Sequence, residues 1–442
     1  MATPFMGMRG TGNWAENQVP ESWAQYILHE YPNGSAPLYA MTSMFRQENV
    51  DSYKYHWWDK TLPTQAGDVT SVYIDAGLAT EYTYAAVDTY GIAGAVLYAK
   101  VALALAKEFK DGDMAALVTE DAMETIVRGI VQDTFHNGAN SYIAIKLIEA
   151  DDNAGTPSAT ASIQSADRIF KYGSAYPEGS TAPNAIMYDP NAYDNYVQNY
   201  RDTLDLTETA MAVRLRTGDA YKEARADCAE VHSLGIEKSA FWGEKYNGTG
   251  HNGKPLRTTQ GIYAFLQENN PGNIVNYITD TGTDYAGKTW LQAGKKFLNT
   301  YLTRLFRYMK GEAVAFCGDA ALLGIMELAE AYGNIQLQTG TVSYGIDVTT
   351  WQIPAGRLHL KTHPLFSHET MFQNTMVIVN PANHKFCPLA NGGKNFRTKF
   401  EKDMQLPGQH SKVDGFSTKG GWKHYFPNQS MWMNGIGKAN TA

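Results

Sequence analysis

Tyr193-Asp-Asn-Tyr196-Val-Gln198-Asn-Tyr-Arg201-Asp-Thr-Leu-Asp-Leu-Thr207 is the stretch on which the reading of this chain turns. It is polar and aromatic, and it reads as extended chain. A strand-like run continues to Arg216. A long amphipathic helix is then expected from Gly218 or Asp219 to about Lys245. Tyr221, Ala224, Cys228, Val231 and Leu234 recur at spacings of three and four, which predicts one apolar face. Trp242 closes that face, and Gly243 and Gly248 end the helix. About 27 residues at 1.5 Å each make a rod roughly 40 Å long. A compact domain rarely needs so long a rod beside so much extended chain.

The chain has 442 residues, 43% of them hydrophobic and 19% charged, enough to bury a sizeable core in two or three domains. With 40 Gly and 27 Tyr it suits turn-rich chain and polar-aromatic interfaces, where Tyr packs and hydrogen-bonds at once. The net charge of −8 excludes a general nucleic-acid binder. From Asn391 onward, eight Lys/Arg stand against three Asp/Glu, a local +5. That tail reads as a solvated or neighbour-contacting face, with DNA contact as the sharper alternative. Cys228, Cys317 and Cys387 are far apart and without metal-ligand spacing, so free thiols made in a reducing cytosol are expected. The first residues lack the apolar run of a signal peptide. No stretch approaches the roughly 18 apolar residues of a membrane span.

Residues 1–67 show little periodicity but carry Trp14, Trp23, Trp57 and Trp58. Such side chains must bury somewhere, and a neighbouring chain's surface is the favoured place. Val69 to Ile74 alternates like a strand. Val96 to Ala106 reads as a helix, with a strand as the alternative. Phe109 to Val118 reads as strand–turn–strand. Thr125–Val131 and Ser141–Ile148 flank His136-Asn137-Gly138-Ala139, a hairpin signal. Residues 151–194 are loop-like. Further helices are expected at Ala286–Met309 and Asp319–Tyr332, the second with Asp319 as N-cap. Strands are expected at Ala313–Phe316, Val342–Trp351, Gly356–Lys361 and Met376–Val379. Without regular β-α alternation, the class is α+β.

No motif anchors a chemistry. Gly248-Thr-Gly-His-Asn-Gly253-Lys254-Pro255 nearly matches a phosphate-binding loop. Pro255, however, stands where the magnesium-holding hydroxyl belongs, and a helix precedes the loop instead of a strand. It reads as a flexible connector. His359, His363, His368 and His384 invite a metal reading. On a strand, His359 and His363 would sit roughly 13 Å apart, whereas a zinc needs both imidazoles about 2 Å away. Surface or packing histidines are expected. Glu223 and Asp227 lie one turn apart on a solvated helix face, Asp319 and Glu312 merely lie close in sequence, and no nucleophile elbow is present. No catalytic, cofactor-binding or metal-binding residue is therefore assigned.

Several pieces fall in a recognisable order. Tyr196, Gln198 and Arg201 form a Tyr-x-Gln-x-x-Arg pattern ahead of the long helix Asp219–Lys245, with Ile236-Glu237 and Trp242-Gly243 near its end. Arg257-Thr-Thr-Gln-Gly261-Ile262 follows. Ala315–Tyr332, Tyr344-Gly345-Ile346-x-Val348, Gly356-Arg-Leu-His-Leu and His363-Pro364-Leu365-Phe366 complete the set. Together they span about residues 190–390. This order resembles the major capsid proteins of tailed bacteriophages, the family with the Hong Kong 97-type fold.

The resemblance implies an N-terminal arm over 1–67 and an extended loop with an inserted β-rich domain over 68–215. It implies a peripheral domain with the spine helix over 216–285 and 370–442, and an axial domain over 286–369. It implies self-assembly into hexamers and pentamers of an icosahedral head around double-stranded DNA, held by non-specific contact. Assembly would occur in the host bacterial cytoplasm, without a membrane, with a portal and possibly a decoration protein. No helical, charged scaffolding segment is evident, so a separate scaffolding protein is expected. Removing residues 1–60 should leave a foldable subunit that fails to form stable shells. The alternatives are a host encapsulin-like compartment shell and a β-rich carbohydrate-active hydrolase.

Overall fold

The computed structural model describes residues 36–42, 48–119, 126–151, 162–213, 219–309, 311–332, 337–343, 346–353, 356–391 and 394–441. The chain divides into two compact units, Lys60–Asn191 and the remainder. Among the described residues the first elements are α1 (Pro37–Thr42) and β1 (Lys54–Asp59).

Residues 60–191 build a closed six-stranded barrel. Its strands are β2 (Ala66–Tyr73), β3 (Val96–Val101), β4 (Asp113–Val118), β5 (Ile126–Phe135), β6 (Tyr142–Leu147) and β7 (Arg168–Ser174). They close in the order β2-β3-β6-β5-β4-β7, every pairing antiparallel. Alternate residues point inward, so Leu97, Ala99, Leu117, Val127, Ile143, Ile145 and Ile169 fill it. The hairpin expected at His136–Ala139 joins β5 to β6, with Gly138 at φ +52° making the turn.

Three sequence expectations are corrected here. Val96–Val101 is a strand, followed by only one helical turn at Leu103–Ala106, because Leu97, Ala99 and Val101 bury with a period of two. Phe109–Val118 holds one strand, β4, rather than two. The loop-like region 151–194 contains β7, whose Ile169 points into the barrel and which pairs with both β2 and β4. One apolar inward position sufficed to make that strand, too little for a periodic signal.

The second unit resumes with β8 (Asn191–Tyr196), which pairs with β1, and β9 (Gln198–Thr207). The long helix runs Ala220–Trp242, 23 residues with Asp219 as its N-cap, or about 35 Å. The helix Ile262–Asn269 packs against it, and the unit's other long helices are Trp290–Tyr308 and Asp319–Tyr332.

A seven-stranded mixed sheet forms the unit's centre. Three adjacent strands in it are Met431–Asn434, Met376–Val379 and Glu312–Cys317; the last pairs in parallel with Gly356–Thr362. Alternation along these strands splits two cores. Ala313, Ala315, Cys317, Met376, Ile378, Met431 and Met433 face the helices Trp290–Tyr308 and Asp319–Tyr332. Val314, Phe316, Val377, Val379 and Trp432 face the long helix and Ile262–Asn269. Both faces being covered, these strands read as continuous apolar runs. The expected strand Val342–Trp351 is instead a hairpin of Leu337–Ser343 and Ile346–Ile353.

A second sheet is organised by the 14-residue strand Ser411–His424. It pairs with β9 over ten residues, with His384–Pro388 and with Lys399–Glu401. Its Trp422, with Tyr200 of β9 and Phe386, packs into the core that the long helix shares.

The long helix buries a face rotated from the one its apolar spacing predicted, the two sharing the buried Cys228. Val231 is 56% exposed, and the buried set is Cys228, His232, Ile236, Glu237, Ser239, Ala240 and Phe241. Three of these carry hydrogen-bonding side chains that each find a partner inside, which an apolar-spacing argument does not register.

Candidate functional site: the buried junction on the long helix

Glu237 sits in the last third of the long helix and is fully buried. A carboxylate there is costly unless donors surround it. It has three. The backbone N–H of Leu38 donates to its Oε1 at 2.8 Å, and that of Tyr39 to its Oε2 at 2.7 Å. His363 Nε2 lies 2.8 Å from Oε1. His363 Nδ1 accepts from the N–H of Leu365 at 3.1 Å, so the ring hydrogen is on Nε2 and donates to Glu237. Glu237 thus satisfies the first free N–H groups of α1, the work an N-cap does, from 198 residues away. The imidazole packs edge-on against Phe241, Phe316 and Phe366, which exclude water from the clamp.

The quoted stretch meets this helix through a polar seam. Asn195 donates from Nδ2 to the carbonyls of Gln260 (3.2 Å) and Trp422 (2.8 Å), while its Oδ1 accepts from Gln260 N at 2.9 Å. Gln198 accepts from Thr259 N at 3.0 Å. Tyr200 O–H meets Ser239 Oγ at 2.6 Å, and His232 bridges Asp202 (2.6 Å) and Thr418 (2.7 Å). Gly243 and Gly261 let the helix end and the 259–261 loop touch. A Cβ on Gly261 would lie 2.6 Å from Ser239 O and 2.7 Å from Gly243 N.

A second anchor holds residues 48–59. Glu48 accepts from Lys385 Nζ (2.5 Å), Lys423 Nζ (3.1 Å) and Tyr425 O–H (3.1 Å). Partial burial pushes its carboxyl up, but the hydrogen bonds and charges of the two lysines outweigh that and bring it down to about 2. Trp57 donates its indole N–H to His424 O at 2.9 Å and is 3% exposed. Trp57 therefore buries in its own subunit, against the expectation that a neighbour covers it. Trp58, the next residue, points the other way and is 61% exposed. Trp14 and Trp23 lie outside the described residues.

The histidines singled out from sequence do not converge. His359 meets Thr350 at 3.1 Å and Glu312 at 3.6 Å, His363 clamps Glu237, His368 is exposed, and His384 contacts His424 at 2.8 Å. Among the described residues no group of three or more His, Cys, Asp or Glu gathers as metal ligands would. The glycine-rich stretch 248–255 forms the tip of a hairpin between Tyr246–Thr249 and Pro255–Thr258, with residues 250–254 as its turn, where a flexible connector was expected. The three cysteines are free and buried. Asp227 is exposed. Sequence reasoning missed Glu48, His232 and His424. His232 and Glu237 lie off the predicted apolar stripe, so helical periodicity gave no signal for them.

This arrangement fastens remote chain segments to one helix, the work of a building block. A family model described as the SU10 major capsid protein matches residues 1–437. The chain belongs to this family and is a bacteriophage major capsid protein, a component of the virion. It is 27% identical over 406 residues to a major capsid protein of Pseudomonas phage PaMx41, covering 91% of this chain and 82% of that one. Among solved structures, one from Mycobacterium phage Adephagia is 9% identical at a TM-score of 0.39, covering 96% of this chain and 92% of that one. A holo-SrpI encapsulin complex from Synechococcus elongatus is 10% identical at 0.39, covering 58% and 80%.

Proposed function

We propose that this protein self-assembles into hexamers and pentamers that tile an icosahedral head around double-stranded DNA, as a structural subunit without catalytic activity. Family membership across residues 1–437 is the observation that supports this reading. The long helix Ala220–Trp242 is its spine, and the sheet on Ser411–His424 belongs to the peripheral part. On this reading the unit Lys60–Asn191 is a barrel inserted in the extended loop, and residues 286–369 supply the axial domain. Assembly takes place in the host cytoplasm with a separate scaffolding protein and a portal.

The arm that laps a neighbour is restricted to residues 1–35. Residues 37–42 are clamped by Glu237, and Val50, Tyr55 and Trp57 are core residues of the same unit. Truncation at residue 60 would therefore remove core, and the arm is tested by truncation at residue 35.

Co-expression with the scaffolding protein, followed by negative-stain electron microscopy, tests the reading. Closed shells or six-membered rings are expected. A monodisperse monomer with and without the scaffolding protein would sink it. Shells filled by a co-expressed enzyme would favour the compartment alternative, and turnover of a glycan lost on changing one carboxylate would favour the hydrolase.

A further inference from the structure

Ser430, His384, His424 and the carbonyl of Gln260 form a buried, directional hydrogen-bond chain. His424 Nε2 lies 3.2 Å from Gln260 O, His384 Nδ1 lies 2.8 Å from His424 Nδ1, and His384 Nε2 lies 3.0 Å from Ser430 Oγ. The carbonyl can only accept, so His424 Nε2 donates and its Nδ1 accepts. His384 Nδ1 must then donate, and its Nε2 accepts from the Ser430 hydroxyl. Each ring spends its single hydrogen. A proton added to His424 Nδ1 would set two N–H groups against each other across 2.8 Å. A charge on His384 would be buried with no carboxylate in contact with the ring.

The same strands carry the N-terminal segment 48–59. Val50 bonds the backbone of Pro388 (3.0 Å) and Ala390 (2.8 Å). Tyr55 O–H donates to Trp422 O at 2.8 Å, Trp57 N–H to His424 O at 2.9 Å, and Phe426 N to Asp59 at 3.1 Å. The charged and titratable neighbours are few. Lys385 and Lys423 flank the pair in register and turn to Glu48, which also holds Tyr425. Asp59 and Tyr55 come from the segment itself, and the Cys387 thiol from the strand that carries His384. On the remaining side stand the Phe265 ring, 5.5 Å from His424, and Glu268, bonded to the Gln260 side chain.

We propose that this four-membered chain is an acid-operated fastener, which holds residues 48–59 on the sheet while both rings are neutral and releases them when the pair takes up a proton. Burial holds His424 down at about 4. Burial, and then His424, hold His384 well below the usual histidine range. For a histidine depressed in the closed state, the contribution is complete above the released value near 6.5 and is lost as pH falls toward the depressed one. Glu48, held at about 2, stays ionised in this window and does not contribute to it. From the His424 values alone, release should be favoured about thirtyfold more at pH 5 than at pH 8.

Hydrogen–deuterium exchange on the full chain at pH 8, 6.5 and 5, corrected for intrinsic rates, tests this. Amides of 48–59 should lose about thirtyfold in protection while those of the central strands Glu312–Cys317 and Met376–Val379 keep theirs. In His424→Asn, whose side-chain oxygen takes the Nδ1 place and does not titrate, the loss should shrink to the part that the still-buried His384 contributes. Unchanged protection of 48–59 in the native chain overturns the proposal. So does an equal loss in the central strands, or a full acid response in a folded His424→Asn variant. If circular dichroism shows that variant unfolded, the native profile alone decides.

Discussion

Replacing Glu237 by glutamine changes one oxygen to an amide, yet it should be among the most destabilising isosteric changes in the subunit. The remaining oxygen can keep Leu38 N–H and His363 Nε2–H. The new NH2 then faces Tyr39 N–H across what is now a 2.7 Å acceptor contact. Leaving a buried donor without an acceptor costs about 1–3 kcal/mol, and the two surviving bonds fall from charge-assisted to neutral, about 0.5–1 kcal/mol each. The expected loss is therefore about 3 kcal/mol, within a range of about 2–5. Glu237→Ala adds a cavity and two more orphan donors and should exceed it.

The assay can be confined to the right unit, because all nine tryptophans lie outside residues 60–191. Tryptophan fluorescence against urea thus follows the unit that holds Glu237. The midpoint should fall at nearly constant slope, and exchange at the Leu38 and Tyr39 amides should rise. Exposed Asp227→Asn on the same helix is the control and should cost under about 0.5 kcal/mol. A Glu237→Gln loss below about 1 kcal/mol, or no larger than the control's, would refute the clamp.

Trp57→Ala should cost about 3–5 kcal/mol by the same readout, and Trp58→Ala less than about 0.5; equal costs would contradict their opposite burial. Glu48 is depressed, so its contribution is present above about pH 4.5 and fades toward pH 2. Discounted for its partial exposure, Glu48→Gln should cost about 1–2 kcal/mol at pH 7 and less than about 0.5 kcal/mol at pH 2, measured by thermal unfolding at both. Residues 60–191 expressed alone should give a cooperative unfolding transition and dispersed amide resonances, since the closed barrel has its own core; a disordered spectrum would contradict that.

Single-sequence reading succeeded where the signal was local and periodic. Asp319–Tyr332 and Met376–Val379 run where expected, the long helix begins at its Asp219 cap, and Asn137-Gly138 makes its hairpin. It missed β7 and left Val96–Val101 open between helix and strand, where barrel closure, not local preference, decides. It also failed on the buried face of the long helix, where Glu237 and His232 bury because their partners lie far off in sequence.

The residues by themselves determined the class and the strongly periodic elements, which depend on neighbours within a few turns of chain, and the family resemblance, which rests on the order of short pieces across residues 190–390. Only the tertiary structure decided that Leu38, Glu237 and His363 form one clamp, that Trp57 belongs to its own subunit, and that His384 and His424 share a proton chain. Such contacts form when segments 40 to 367 residues apart are brought together, and no local pattern encodes which distant donor will meet a buried acceptor.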